Sequence, residues 1–378
     1  SSAASDVYKR QTPWLVGTCD WIDSMKRRAI VWLCETTGKS ILKLTDEDYN
    51  KNGLSDLLAL EGSSYDLNIK MFNHFQNTIT GWPGGKPGAD DSTRPERKSP
   101  KSKRVIIFSP HPDDDVVSMG GTFDRLVSQG HEVHIAYQVK GNIAVSDHDA
   151  LKFIEVSKDL FKNESKVPVS ELIKELKNNK PDKIDSQAVR NLKGFIRKSE
   201  AIAATRYIGI PDSNTHFLNL PFYDTGRIKK NPPTKKDVLI TASLINKIKP
   251  HQIFAAGDLE DPHGTHKVCL DIILEAMETL KGEKFMKDCW LWLYRGAWLD
   301  WDIHDIDMAV PMSPAQVLRK RKAIFFHQTQ KDGVMFQGQD HREFWVRAEE
   351  RNSETAEKYK KMGLADYAAI ESFKRHYY

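Results

Sequence analysis

Short apolar runs alternate with amphipathic helical patterns between residues 104 and 378, and this alternation constrains the fold more than any other feature of the chain. A strand followed by a helix and then by another strand favours a parallel sheet with helices packed on both of its faces. We therefore predict an α/β fold with a doubly wound, mainly parallel sheet. The strands are predicted at 105–108, 132–138, 252–256 and 290–294, and the helices at 116–129, 185–207 and 236–247.

Two of these predicted strands end in groups of metal-binding side chains. The first strand is followed by His111 and by three carboxylates at 113–115, and the strand at 252–256 is followed by His263 and His266. In an open parallel sheet the ligand crevice lies at the carboxyl ends of the strands, so we expect both groups at one edge. Two imidazoles and one carboxylate suit a catalytic zinc site, which keeps one position open for water.

Each group also has an ordinary interpretation when it is considered alone. A His-Pro-Asp-Asp sequence after a strand is commonly a polar turn, and two histidines three residues apart are commonly exposed or part of a core. If the chain becomes helical at Gly264, however, His263 and His266 lie on one face and reach the crevice together. The occurrence of both groups at strand ends favours the metal site.

These residues resemble a known family. Pro110-His-Pro-Asp-Asp114, taken together with His263-x-x-His266, resembles the LmbE/PIG-L family of zinc-dependent N-deacetylases. Further similarity lies at 119–122, in an Arg-x-x-Glu helix within 196–209, and at 322–330, so that the resemblance runs from about residue 103 to residue 330. It implies a Rossmann-like sheet and a hydrolase that uses one Zn²⁺ ion.

The family's functional residues carry over position by position. His111, Asp114 and His266 resemble the metal ligands, and Asp113 resembles the general base. His263 resembles the imidazole that helps to stabilise the tetrahedral intermediate. The substrate that the resemblance implies is an N-acetylglucosamine-type amino sugar or its phosphate.

Two positions depart from the family pattern. Asp115 stands where the family usually has Glu, and Thr265 stands between the two histidines where the family often has Asp. The second change removes a carboxylate that would help to orient a histidine. The alternative function is therefore a noncatalytic sugar-binding or scaffold module of a glucosamine-6-phosphate deaminase protein.

Three residues are predicted to contact the substrate. Lys140 and Asn142 follow the strand at 132–138 at the same edge of the sheet, and Asn142 offers an amide to a sugar hydroxyl. Lys140 and Arg206 are cations that would meet a sugar phosphate. Each also has an alternative role, because Asn is common in turns and surface arginines commonly form ion pairs.

The chain before residue 104 is predicted to contain three parts. Residues 1–11 look like a translated sequencing adapter, so we expect a non-native leader, and an ordinary disordered leader is the alternative. Residues 12–81 resemble the helical tail of a glucosamine-6-phosphate deaminase-like domain. Residues 82–103 are basic and rich in Gly, Pro and Ser, which predicts a solvated linker to the deacetylase-like domain at 104–378.

The helical part has its own local signals. Helices are predicted at 25–33 and 46–60, with Thr45 and Asp48 as a capping box at the start of the second. A homo-oligomer formed through this deaminase-like part is one arrangement that the resemblance allows.

The composition favours a cytoplasmic protein that acts on a small molecule. A net charge of +4 over 378 residues is too small to imply a nucleic-acid or membrane surface. No apolar run approaches the roughly 18 residues that a membrane span requires. The four cysteines form no Cys-x-x-Cys pair and indicate free thiols in a reducing compartment.

Overall fold

The computed structural model describes residues 21–160, 169–179, 184–227, 229–259, 264–296, 299–331 and 342–378. The helices within them are α1 (Asp23–Thr37), α2 (Asp46–Lys51), α3 (Ser55–Glu61), α4 (Ser64–Thr78), α5 (Asp114–Ser128), α6 (Asp147–Leu160), α7 (Val169–Lys177), α8 (Gln187–Ile208), α9 (Lys235–Ile248), α10 (Thr265–Thr279), α11 (Pro314–Phe325) and α12 (Phe344–Lys361). The strands are β1 (Arg104–Ser109), β2 (Glu132–Tyr137), β3 (Thr215–Phe217), β4 (Gln252–Ala256), β5 (Trp290–Tyr294), β6 (Met308–Met312) and β7 (Ala369–His376). The predicted leader at 1–11 lies outside the described residues.

The described strands form one seven-stranded sheet in the order β3-β2-β1-β4-β5-β7-β6. Strands β1 to β5 pair in parallel, whereas β7 runs antiparallel to both β5 and β6. The predicted α/β class with a mainly parallel sheet is therefore confirmed. Because Val105 pairs with Gln252, the neighbouring strands β1 and β4 end at the same edge of the sheet.

Both faces of the sheet are buried, which explains the apolar strand runs. Ile106 and Phe108 of β1 belong to the apolar cluster that contains α9 and α10. Val105 and Ile107 point to the other face, where they join α5, α8, α11 and α12. Each large side chain that is fully buried in this way stabilises the fold by roughly 1.5–3 kcal/mol. The two layers of helices fix the edge at which the polar groups emerge.

Four strands were predicted within two residues of their observed ends, and three were missed. The missed strand β3 has only three residues, all of them half-buried. Strand β6 contains Pro311, which is uncommon in a strand interior. Strand β7 carries the polar residues Glu371 and Ser372 at buried positions. Strands β3 and β7 therefore lack the continuous apolar run by which the other strands are recognised, and β6 has such a run but contains a proline.

The amino-terminal helices pack against the sheet. The predicted helix at 46–60 is split into α2 and α3, because Gly53 between them has a φ of +74° that a helix does not allow. The capping box is confirmed, since Thr45 N–H donates to Asp48 Oδ2 at 2.8 Å and the Thr45 hydroxyl accepts from Asp48 N–H. Buried Phe75 of α4 belongs to the same apolar cluster as Ile106 of the sheet.

The segment at 82–103 contacts the amino-terminal edge of the sheet. Most of its charged residues are exposed, as expected for a solvated linker, but Glu96 and Lys103 are buried. Gln252 at the start of β4 donates to the carbonyl oxygen of Pro83 at 3.1 Å. In the part of the chain that the structure describes, no helix combines the length and the apolar character needed to cross a membrane.

Candidate metal centre

The turn between β1 and α5 brings the first predicted group to the carboxyl edge of the sheet. His111 N–H donates to Asp114 Oδ2 at 2.8 Å, and Asp113 N–H donates to the carbonyl oxygen of His111 at 2.9 Å. Helix α5 begins at Asp114, so Asp114 and Asp115 lie in its first turn, where the helix dipole favours negative charge. The turn therefore holds three consecutive acidic residues at one helix start.

A buried carboxylate fixes the direction of α5. The helix is interrupted at Met119, and Glu371 of β7 accepts hydrogen bonds from the N–H groups of Gly121 at 3.0 Å and Thr122 at 2.6 Å. Lys320 Nζ lies 2.8 Å from the same carboxylate. A Cβ atom at position 121 would lie 2.2 Å from the sulfur of Met312, so any other residue there would require the Met312 side chain to shift. The 119–122 segment thus anchors the helix that carries Asp114.

Three predicted metal ligands come together where α10 meets the turn between β1 and α5. Asp114 Oδ2 lies 3.1 Å from His111 Nδ1 and 3.2 Å from His266 Nε2. One donor atom of each residue lies within 4.8 Å of those of the other two. Burial alone would raise the pKa of Asp114, but the adjacent His266 and His111 hold it well below its usual range. Asp114 is therefore a carboxylate, the form that binds a cation.

The orientation of His266 is set by the backbone. Its Nδ1 lies 3.0 Å from the carbonyl oxygen of Asp258, so Nδ1 carries the proton and Nε2 presents its lone pair towards Asp114. His266 and Asp114 are 2% and 4% exposed. Two imidazole nitrogens and one carboxylate oxygen at this spacing, with His111 half-buried and the other two residues buried, fit a divalent ion such as zinc with one position left for water.

Asp113 lies beside these three residues and pairs with a buried arginine. Arg197 Nη2 donates to Asp113 Oδ1 at 2.9 Å and to the carbonyl oxygen of Pro112 at 3.0 Å. Burial raises the pKa of Asp113 to about 6, and the charge of Arg197 opposes part of this rise. Asp113 is therefore ionised at neutral pH, with a pKa close enough to neutrality to accept and return a proton.

Asp115 is separate from the three donors. Tyr137 Oη donates to Asp115 Oδ2 at 3.0 Å, and Ser109 Oγ donates to Oδ1 at 3.2 Å. Complete burial raises the pKa of Asp115 to about 7. Its contacts tie the start of α5 to β1 and β2, which gives Asp115 a role in holding the turn.

The loop that contains Lys140 and Asn142 lies against the same turn. Gly141 between them has a φ of +64°, and a Cβ there would lie 3.1 Å from Pro112 Cδ and 3.3 Å from Arg197 Nε. Glycine is therefore required for this contact. Asn142 is buried, and Lys140 Nζ lies 3.4 Å from a carboxylate oxygen of Asp224. The structure thus places the loop that carries these two predicted substrate-binding residues against Pro112, which follows His111 in the chain.

Of the other predicted site residues, Arg206 is not brought to this position. Arg206 lies nine residues after Arg197 in α8, which is about 13 Å along the helix axis. Its side chain is 62% exposed and pairs with Asp212, with Nε 2.8 Å from Oδ1. Arg206 therefore forms a surface ion pair, because a carboxylate lies within reach just beyond the helix end. His263 lies outside the described residues.

Arg197 has no role that its sequence motif alone predicts. It shares one face of α8 with Ala201, Ala204 and Ile208, and all four side chains are buried. An arginine in an apolar helical stripe requires a buried partner, because an unpaired charge is costly to remove from water. That pattern is the sequence signal that predicts a buried ion pair at this position.

Further buried side chains enclose the site. The ring of Tyr223 meets that of His111 edge-on, with centroids 6.1 Å apart. His327 is fully buried, and its burial together with the charge of Arg197 lowers its pKa to about 3. Thr329 donates from its backbone N–H and its hydroxyl to Glu200, each at 2.8 Å. These contacts hold the 322–330 segment against α8.

The sequence of this region matches a known family. Residues 106–277 match the family described as PIG-L: GlcNAc-PI de-N-acetylase. The chain is also 54% identical over 381 aligned residues to a putative glucosamine-6-phosphate deaminase-like protein of Bacteroides thetaiotaomicron, in an alignment that covers 98% of this chain and 58% of the relative. The chain therefore spans less than two thirds of the length of that relative.

Two solved structures are weakly similar to the whole model. The N,N'-diacetylchitobiose deacetylase of Pyrococcus horikoshii is 18% identical with a TM-score of 0.46, over 73% of this chain and 84% of that one. The 4-carboxy-2-hydroxymuconate hydratase of Pseudomonas putida is 15% identical with a TM-score of 0.45, over 73% of this chain and 97% of that one. Neither similarity is high enough to carry an argument about this chain.

Proposed function

We propose that the protein is a metal-dependent hydrolase that removes the N-acetyl group from an N-acetylglucosamine-type amino sugar, because residues 106–277 match the PIG-L family. The observation that carries the proposal is the convergence of His111, Asp114 and His266, with Asp113 beside them. The residues belong to two distant segments of the chain, and no structural need of the fold accounts for bringing these donors together.

The chain's own residues provide the groups that hydrolysis of an amide requires. A bound zinc ion would supply a water of lowered pKa and would polarise the acetyl carbonyl. His111, Asp114 and His266 hold that ion. Arg197 donates to Oδ1 of Asp113, so Oδ2 is the oxygen that accepts a proton from the attacking water. We assign donation of a proton to the leaving amine, or stabilisation of the oxyanion, to His263.

The same loop contacts suggest how the sugar would bind. Asn142 is buried beside the turn and offers an amide to a sugar hydroxyl. Lys140 is half-buried and would meet the phosphate of a phosphorylated sugar, which would compete with Asp224 for the ammonium group. A sugar phosphate is also consistent with a deaminase-like role for residues 12–81, because glucosamine 6-phosphate would then be the product of one reaction and the substrate of the next.

Acetate release from N-acetylglucosamine and from N-acetylglucosamine 6-phosphate tests this proposal. The purified protein supplied with zinc should release acetate and a free amine from at least one of them, and Asp113→Asn should keep the metal but lose turnover. Asp212→Asn is the matched control, because it removes an exposed aspartate distant from the donors. Absence of acetate release by the zinc-loaded native protein from either sugar, or full turnover by Asp113→Asn, would contradict the proposal.

A second candidate is a noncatalytic sugar-binding or scaffold module of a larger deaminase protein. It is favoured by the Thr at position 265 and by the deaminase-like name of the relative, of which the chain covers 58%. Such a module would bind the sugar with the same affinity before and after the Asp113→Asn change and would release no acetate from either form. The deaminase-like role of residues 12–81, a homo-oligomer through that part, and a cytoplasmic location are proposals of the same kind.

A further inference from the structure

A second cavity lies at the opposite edge of the sheet from the three donors. It has a volume of about 620 Å³, and its walls include Arg94, Arg97, Trp290, Trp292, Arg375 and Tyr377. Trp290 is the first residue of β5 and pairs with Gln252, the first residue of β4, whereas the donors follow the last residues of β1 and β4. We call it the Trp290 cavity. Its volume is within the range of small-molecule sites.

The charges that line the Trp290 cavity are mainly positive. Arg94, Arg97 and Arg375 face one lining carboxylate, that of Asp307, and Arg97 also pairs with Asp288 at 3.0 Å, so the positive charge available to a ligand is that of Arg94 and Arg375. Asp307 is itself engaged, because its Oδ1 lies 3.7 Å from Arg27 Nη1 and its Oδ2 accepts from the backbone N–H of Arg375 at 2.9 Å. An anion would therefore be attracted to the cavity and a cation repelled.

Arg375 has no acceptor for its guanidinium group in the part of the chain that the structure describes. Its Nε and Nη1 are buried without a hydrogen-bond partner, and the group stacks on Trp290 at 3.7 Å from the ring centroid. Arg321 offers a comparison, since it stacks on Trp345 at 4.6 Å and also pairs with Glu349 at 2.6 Å. Leaving a covered cation without an acceptor is costly, so the acceptor for Arg375 is expected from another molecule.

Trp292 provides a second unused donor in the same wall. The residue is 1% exposed, and its indole Nε1–H has no hydrogen-bond acceptor among the described residues. An indole N–H is a donor only, so it too is satisfied by an oxygen of a bound molecule. Tyr377 offers a flat apolar face beside these donors, against which the body of a small molecule would pack. The ring of Trp290 is already covered by the guanidinium groups of Arg97 and Arg375.

We propose that the Trp290 cavity binds a small organic anion, with its carboxylate or phosphate accepting hydrogen bonds from Arg375 and Trp292. The two buried donors without acceptors and the net positive lining carry this inference together. The proposed anion binding does not depend on deacetylase activity, because the Trp290 cavity and the three donors lie at opposite edges of the sheet. The ligand therefore binds independently of the metal.

The inference is tested by titrating the isotope-labelled protein with defined anions. Two-dimensional NMR monitors the indole N–H signals during the titration. The probes are glucose 6-phosphate and gluconate, with glucose as the neutral control. The Trp292 signal, which is assigned by its loss in Trp292→Phe, should move with at least one anion and remain still with glucose. Movement with glucose 6-phosphate alone assigns a phosphate site, and movement with gluconate alone assigns a carboxylate site.

Substitution of the cavity arginine provides the quantitative test. Arg375→Gln should weaken anion binding roughly tenfold or more, since it removes a charge-assisted hydrogen bond, and Trp292→Phe should weaken it less. Arg321→Gln should leave the affinity unchanged, because that arginine stacks on a tryptophan elsewhere. The remaining indole signals report whether each variant is folded. The inference is overturned if neither anion moves the Trp292 signal at millimolar concentration, or if a folded Arg375→Gln variant binds as tightly as the native protein.

Discussion

Replacing Arg197 by methionine removes the positive partner of Asp113 and keeps most of the side-chain volume. The two residues are 1% and 6% exposed, and their ion pair measures 2.9 Å between Nη2 and Oδ1. Removing one partner of a buried pair costs about 3–5 kcal/mol, because the remaining carboxyl group either stays buried as an uncompensated charge or must take up a proton. We expect this loss of unfolding free energy near neutral pH, where Asp113 is ionised.

The pH dependence of that loss follows from the direction of the pKa shift. Burial raises the pKa of Asp113 to about 6, so the carboxyl group takes up a proton as the pH falls through that value. The neutral acid needs no cation, and the cost of Arg197→Met should therefore be about 1 kcal/mol smaller at pH 5 than at pH 7, because a carboxyl group with a pKa of about 6 gains no more than about 1.4 kcal/mol by ionising over that interval. At neutral pH the variant should also lose turnover, since the raised pKa leaves Asp113 protonated and unable to act as a base.

The loss of unfolding free energy is measured by urea unfolding of the native protein and of Arg197→Met, monitored by tryptophan fluorescence at neutral pH and at about pH 5. Arg206→Met is the control, because it removes an exposed arginine from the same helix and should leave the unfolding free energy unchanged. A loss that is equal at both pH values, or a loss no larger than that of Arg206→Met, would refute the view that Arg197 serves to hold an ionised Asp113.

Three other substitutions test the supporting structure. His131 is buried, its burial lowers its pKa to about 4, and its ring accepts a hydrogen bond from Lys103 N–H at 3.0 Å. Between about pH 6.5 and pH 4 the unfolded chain therefore binds a proton at His131 that the folded chain does not, so the unfolding free energy falls as the pH drops through this range. His131→Asn should lessen that fall by about 1 kcal/mol in urea unfolding. Glu371→Gln should lower the unfolding free energy by about 3–5 kcal/mol, because it leaves the ammonium group of Lys320 buried without a carboxylate, and a loss below that of a surface change would count against it. Thr45→Ala should cost about 1 kcal/mol through loss of the helix cap, which calorimetry would detect as a lower melting temperature.

The sequence was informative where a single physical signal dominates. The strands buried on both faces were predicted within two residues of their ends, because continuous apolar runs are required there. The convergence of His111 and His266 was also predictable, since the carboxyl ends of adjacent parallel strands meet at one edge. The capping box of Thr45 depends on four consecutive residues alone, so it too was found.

The sequence was less informative where distant segments decide the structure. Strand β7 carries Glu371 at a buried position. The reason is that its carboxylate accepts a hydrogen bond from the backbone N–H of Gly121, 250 residues earlier, where helix α5 is interrupted. Arg206 was chosen as a substrate contact for its charge, but Asp212 beyond the helix end pairs with it. The place of Arg197 in an apolar helical stripe requires a buried partner. The stripe does not identify the carboxylate that serves as this partner, so no role was predicted for Arg197.

The central claim is that His111, Asp114 and His266 hold one divalent ion. Elemental analysis of the protein after exposure to zinc and exhaustive dialysis tests this claim most directly. The test variant is His266→Ala. The control is His74→Ala, which removes a half-buried histidine outside the site. We expect about one zinc ion per chain in the native protein and in the control, and almost none in His266→Ala. A native protein without bound metal, or a His266→Ala variant that retains its zinc, would contradict the claim.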